Sequence, residues 1–194
     1  MSEVVVGDDG LARCAWGAAP EEYRRYHDEE WGRPAHGDRT VFEKLTLEAF
    51  QSGLSWLTIL RKRENFRAAF DGFDPAKVAA YGPAETSRLL ADAGIVRNRA
   101  KIGATLANAA AVVRLREAEG DGALDRLFWS HRPTHHRRPE DLASIPSSTS
   151  ESAALARDLK RAGLVFVGPT TAYAAMQSLG VVDDHVAGCH RAGR

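Results

Sequence analysis

Cysteine is scarce in this chain: 194 residues carry two, Cys14 near one end and Cys189 near the other. That is too few for a disulfide-stapled scaffold, and it leaves metal binding or a single bridge as the uses open to the pair. No apolar run approaches the length of a membrane span and no signal-peptide pattern stands at the start. A cytoplasmic protein without a membrane partner is therefore expected, in which the thiols stay reduced. An excess of either charge is also missing. Lys and Arg number 26 against 26 Asp and Glu, so any affinity for nucleic acid must come from local basic patches rather than from the whole molecule. Internal repeats and low-complexity segments are absent. What remains, at 44% hydrophobic and 27% charged residues, is a globular chain able to bury a real core.

Residues 1 to 12 carry little pattern and are expected to be disordered, with residues 13 to 194 forming one domain of two closely packed lobes. From Asp38 onward apolar residues recur at three and four, and Gly or Pro punctuates the segments. The spacing predicts helices over about 39 to 52, 55 to 70, 83 to 93 and 98 to 118, with a short one opened by Asp74-Pro75. Ser148-Thr149-Ser150-Glu151 has capping-box spacing and opens a helix to about Ala162. Gly168-Pro169 opens another that ends at Gly180. Residues 130 to 147 read as a loop. Strand character is confined to Leu164-Val165-Phe166-Val167, so the fold class is all-α. Two basic patches stand out, Arg97-Asn98-Arg99-Ala100-Lys101 and a run from His131 to Arg138, each of which also suits a plain solvated face.

Each cysteine has a histidine close by, Cys14 with His27 and Cys189 with His185. The second pair has i, i+4 spacing, which brings both side chains to one face of a helical turn. Two thiolates and two imidazoles complete a tetrahedral zinc site, closed and structural, that would clasp the chain ends together. A Cys14 to Cys189 disulfide and two ordinary buried thiols remain open, and His190 competes with His185 as the ligand.

On the helix over 39 to 52, Val41, Leu45 and Glu48 share one stripe, so a carboxylate stands where a hydrophobe belongs. Buried carboxylates persist when they are paired, hydrogen-bonded or functional; at the stripe's edge Glu48 would simply reach water. Trp16, Tyr23, Tyr26, Trp31 and Trp56 lie close to it in sequence, a set that suits either a core or a pocket for a flat, cationic or hydrogen-bonding ligand.

Arg13-Cys14-Ala15-Trp16-Gly17, Tyr26-His27-Asp28-Glu29-Glu30-Trp31-Gly32 and Leu47-Glu48-Ala49-Phe50-Gln51-Ser52-Gly53-Leu54-Ser55-Trp56 resemble blocks of the 3-methyladenine DNA glycosylase I family. So do Phe166-Val167-Gly168-Pro169-Thr170 and Asp183-Asp184-His185-Val186-Ala187-Gly188-Cys189. The resemblance spans roughly residues 13 to 189. It implies a helix-hairpin-helix glycosylase fold with a structural zinc ion on Cys14, His27, His185 and Cys189. It also implies release of 3-methyladenine from alkylated double-stranded DNA by hydrolysis of the N-glycosidic bond, acting as a monomer without a lyase step. Glu48 and Tyr26 fall on catalytic positions of the base pocket, with Trp56, Tyr23 and Trp16 lining it. Gly94, Arg97, Arg99 and Lys101 fall at the hairpin that would grip the DNA backbone. Two positions depart from the family: the hairpin from Asp92 to Arg99 keeps one glycine of two, and Phe50 replaces an expected polar residue. The five lysines read as solvated, which speaks against Schiff-base chemistry. A non-catalytic binding module and a thiol or zinc hydrolase are the competing readings.

Overall fold

The computed structural model describes residues 3–193, and they form a helical body with one small two-stranded ribbon. β1 (Val4–Val6) pairs antiparallel with β2 (Ala12–Cys14), placing Val4 opposite Cys14. The disorder expected of residues 1 to 12 does not hold over this stretch. Gly10 at φ +75° closes the connecting turn, and strands of three residues are too short to show alternation. Met1 and Ser2 lie outside the described residues.

After the ribbon come α1 (Glu21–Glu29), α2 (Asp38–Gln51), α3 (Trp56–Ala69), α4 (Pro75–Ala79) and α5 (Pro83–Ala91). Then follow α6 (Arg99–Glu119), α7 (Ala123–Trp129), α8 (Ser150–Arg161) and α9 (Pro169–Ser178). Capping chemistry explains four of these starts: Ser55, Asp74 and Asn98 each accept a backbone N–H from the first turn of the helix they open, and Thr149 does so for α8. α8 is capped one residue later than the expected box, by Thr149 with Ser152, because the shorter serine hydroxyl returns to the Thr149 amide at 2.8 Å. α7 was not anticipated; seven residues give no full helical period.

The expected strand at 164 to 167 is a loop. Phe166 takes a left-handed φ of +61°, and Asn108 of α6 meets both polar groups of Val165, donating to its carbonyl at 3.0 Å and accepting its amide at 2.7 Å. One side chain thus replaces the neighbouring strand that this segment lacks.

α2 runs through the middle of the core. Val41, Phe42, Leu45, Leu47 and Phe50 are buried on it, and its C-terminal half backs onto α3 and the turn that follows. Phe50, the departure from the family pattern, is fully buried and packs on Phe66 with ring centroids 4.8 Å apart, in a row that continues through Phe70 to Phe73. An aromatic side chain here extends the core directly beneath the helix face that carries Glu48. Among the described residues no helix is long and apolar enough to cross a membrane. Phe50→Ala is expected to lower the unfolding free energy by about 3–5 kcal/mol, the usual cost of emptying a phenylalanine site in a packed core. Denaturant melts of the two proteins measure it.

Candidate active site and metal centre

Cys14 ends β2, His27 sits in the last turn of α1, and His185 and Cys189 lie in the segment after α9. All four are buried, and their donor atoms lie within 4.8 Å of one another. Cys189 Sγ is 3.4 Å from His27 Nε2 and 3.6 Å from His185 Nδ1, and Cys14 Sγ is 3.7 Å from His185 Nδ1. A tetrahedral ion with bonds of about 2.0–2.3 Å needs ligand atoms about 3.3–3.8 Å apart, so these separations fit a metal of that size. The two cysteines are free thiols, which removes the disulfide reading. His185 and Cys189 meet by a tight turn instead of the expected helical one. The Cys189 amide donates to the Val186 carbonyl at 3.1 Å, and Gly188 takes the third position at φ +87°.

The remaining ring nitrogens are held as well. His27 Nδ1 faces the Asp28 carboxylate at 2.8 Å and His185 Nε2 faces the Trp31 carbonyl at 3.1 Å, which aims the other nitrogen of each ring at the cluster. Burial would raise Asp28, but hydrogen bonds from Arg13, His27 and His190 hold it below the usual carboxylate range. His190 spends its Nε2 on Asp28 at 3.0 Å and stands outside the four-ligand set. Gly17 permits the close packing of Trp16's neighbourhood on this centre: a Cβ there would sit 2.4 Å from the His27 ring.

Beside the cluster lies a cavity of about 310 Å³. Trp16, Tyr23, Tyr26 and Trp56 form walls, and Glu48 is the acid among them, so the structure brings the five pocket residues expected from sequence to one place. Trp31, Gln51, Ala174 and Gln177 complete the lining. Gln177 was missed by sequence reasoning; its signal was a polar residue one helical turn beyond Tyr173, after the apolar run Ala174-Ala175-Met176. Trp16 meets Trp31 edge to face with centroids 5.0 Å apart, and Tyr26 meets Trp56 at a tilt of 49° with centroids 5.4 Å apart. Cluster and cavity share this wall, because Trp16 packs on His27 at 5.2 Å and Trp31 on His185 at 4.7 Å.

Glu48 is 8% exposed, and burial pushes its carboxyl up to about 7 against the opposing pull of Lys44 and the Ser178 hydroxyl. Burial, then the charges of Glu48 and Glu30, raise the Tyr26 phenol, so it remains protonated. Tyr23 is anchored by accepting the Leu57 amide at 2.9 Å, which ties α1 to the start of α3.

The hairpin between α5 and α6 only partly matches expectation. Arg97 and Arg99 are exposed, and the amides of Val96 and Arg97 make no hydrogen bond among the described residues. The Gly94 amide is taken by Asp92 Oδ1 at 2.7 Å; its lack of a side chain serves packing, since a Cβ would lie 3.2 Å from Asn65 of α3. Lys101 is buried, its ammonium donating to the Phe50 and Ser52 carbonyls at 2.8 and 2.6 Å. It satisfies the end of α2 and is not available to a phosphate. Lys44 is buried too, so two of the five lysines are not the solvated side chains expected. Neither lines the cavity.

The site is thus an aromatic cavity around one buried acid in a mostly helical body. A model of the family described as methyladenine glycosylase matches residues 16–192. DNA-3-methyladenine glycosylase 1 of Escherichia coli is 45% identical over 181 residues, covering 92% of this chain and 96% of that protein. A crystal structure of 3-methyladenine DNA glycosylase I is similar at a TM-score of 0.87 and 42% identity, covering 93% of this chain and 99% of that one. A variant of 3-methyladenine DNA glycosylase I in complex with 3-methyladenine is similar at 0.86 and 30% identity, covering 94% and 98%. The chain belongs to the methyladenine glycosylase family.

The raised Glu48 has a thermodynamic signature. Below about pH 4.5 the carboxyl is protonated whether the chain is folded or not. As pH rises to about 7 the unfolded chain ionises first, and stability is lost by roughly 3 kcal/mol in total. Glu48→Gln removes this loss. The unfolding free energy of wild type minus variant is expected to fall across that window and level off above it; a difference independent of pH contradicts the burial argument.

Proposed function

We propose that this chain is a DNA repair glycosylase that extrudes 3-methyladenine from alkylated double-stranded DNA and hydrolyses its N-glycosidic bond, releasing the base and leaving an abasic site. Residues 13 to 194 act as a single domain and as a monomer. One observation carries the reading: in a member of this family, a carboxylate is buried in a cavity walled by indole and phenol rings.

Extruding a nucleotide costs a few kcal/mol, least for a damaged base. Methylation at N3 leaves the adenine ring cationic within DNA, so the ring gains cation–π attraction from Trp56, Tyr26 and Trp16 and a charge-assisted contact from Glu48. Neutral adenine gains neither. Trp56 stacks on the ring, Glu48 accepts from its exocyclic amine, and Tyr23 and Trp16 close the sides. Tyr26, kept as a neutral phenol, acts as a hydrogen-bond donor that orients base or water and not as a base.

When the bond between the base nitrogen and C1′ breaks, its electron pair neutralises the departing ring. Water then adds to the electron-poor sugar carbon and gives up a proton to solvent. Because the leaving group carries its activation with it, a strong general base is dispensable. No lysine lines the cavity, in keeping with hydrolysis in place of a lyase step. Backbone contact comes from Arg97, Arg99 and the amides of Val96 and Arg97 at the start of α6, which fix position without reading sequence. Gly94 supports this hairpin through packing, and Lys101 supports it through its hold on α2.

Zinc is the ion that suits two thiolates and two imidazoles, and Cys14, His27, His185 and Cys189 would hold it. When bound it supplies cross-linking of the chain ends, with no free coordination position for a reacting water. The ligand rings support Trp16 and Trp31, so the clasp also steadies the wall of the cavity.

Incubating the purified protein with methylated DNA and identifying the released purines tests the function. 3-Methyladenine is expected in the soluble fraction, and Glu48→Gln should release it about 10- to 100-fold more slowly, the cost of losing a hydrogen bond to a charged group. Binding without release identifies a binding module instead. For the clasp, about one zinc per chain is expected, lost in Cys14→Ser together with a lowered melting temperature. Stoichiometric protein without metal, melting at the same temperature after chelation, overturns the zinc assignment.

A further inference from the structure

Lys44 is a lysine placed where lysine is costly. It precedes Glu48 by one helical turn on α2, so the two side chains share a face, and it is 7% exposed. Its ammonium lies 5.3 Å from the centroid of the Tyr26 ring, and Lys44 is not among the residues that line the cavity. Three other charged groups belong to the same buried network. Glu30, just past α1, is gripped by both guanidinium nitrogens of Arg63 from α3, at 2.6 and 2.7 Å, while its contact to Lys44 is longer at 3.3 Å. Arg63 therefore satisfies most of the Glu30 charge. Lys44 is left as a cation only partly neutralised, one turn from a carboxylate that has no cation in direct contact.

We propose that Lys44 is a positioning residue for the base pocket: its ammonium, held over the Tyr26 ring by Glu30, offsets part of the burial penalty on the Glu48 carboxylate, so that the ionised form that receives a cationic purine is populated at neutral pH. The two cations, Lys44 and Arg63, balance the two carboxylates, Glu30 and Glu48, when Glu48 is ionised. Burial works against ionisation of both Lys44 and Glu48, and each lessens that penalty for the other. The other polar groups around Glu48, the Tyr23 and Tyr26 phenols from α1, Gln51 from α2, and Gln177 and the Ser178 hydroxyl from α9, carry no positive charge that could replace Lys44.

This inference rests on the reading of Glu48 as the group that meets the cationic base, and a pH profile separates the two. Single-turnover excision of 3-methyladenine is measured across about pH 5 to 9, corrected for uncatalysed release, for wild type, Lys44→Met, Lys44→Arg and Glu48→Gln. Wild type is expected to lose activity on the acidic side as Glu48 protonates. Lys44→Met should move that midpoint up by about one pH unit, with the rate recovering toward wild type at high pH; Lys44→Arg, which keeps the charge, should hold the wild-type midpoint. A Lys44→Met protein slowed equally at every pH, or with an unmoved midpoint, overturns the role of Lys44. If Glu48→Gln retains the same acidic limb as wild type, the limb does not belong to Glu48 and the reading of the pocket itself fails. Circular dichroism at both pH extremes confirms that each variant is folded.

Discussion

A carboxylate held away from water is the constraint around which the pocket is arranged. Glu48 sits on the central helix with rings on several sides, and in the proposed function the same burial that makes its ionised form costly makes it responsive to a cation arriving in the cavity. A polar, solvated site would recognise charge weakly because water would screen it. A wholly apolar one would recognise shape alone. Five aromatic rings and one acid give both properties in a space of about 310 Å³, at the small end for a ligand site and suited to one base.

Such a cavity requires walls that do not relax into it, and the chain provides them by connecting its ends. Trp16 follows Cys14 by two positions, Tyr26 precedes His27, and Trp31 packs on His185, so the residues that shape the cavity are neighbours of the four that could hold a metal. Arg13 and Asp28 extend the same support outward: Arg13 donates to Asp28 and Asp9, and Asp28 orients both His27 and His190. On the opposite side the Phe50–Phe66–Phe70–Phe73 row fixes α2 against α3. The acid is thereby held between a polar clasp and an aromatic core.

Rare residue types and broken periodicity made much of this legible in the sequence. Two cysteines with adjacent histidines in a chain short of cysteine marked the cluster, and an acid on the Val41–Leu45 stripe marked the pocket. The helices of 10 or more residues were legible because they repeat their period often enough. What escaped was set by tertiary context. β1 and α7 are too short to carry a period. The Leu164–Val167 segment has strand composition, but Asn108 satisfies its backbone instead of a neighbouring strand. Lys44 and Lys101 read as surface lysines because lysine is nearly always one. Their burial depends on a carboxylate and on helix-end carbonyls that come from elsewhere in the chain. The meeting of His185 and Cys189 was legible, but the turn that produces it was not, since i, i+4 spacing fits a helix and a four-residue turn equally well.

The central claim is that the cavity distinguishes a positively charged purine from its neutral parent. Titrating the protein at neutral to mildly basic pH with 3,9-dimethyladenine, whose ring keeps its positive charge because both ring nitrogens are alkylated, and with neutral adenine, read by quenching of the tryptophans that line the cavity, measures this most directly. The account predicts saturable quenching at least about tenfold tighter for the methylated base, with adenine binding weakly or not at all. Equal affinity for the two bases would contradict it.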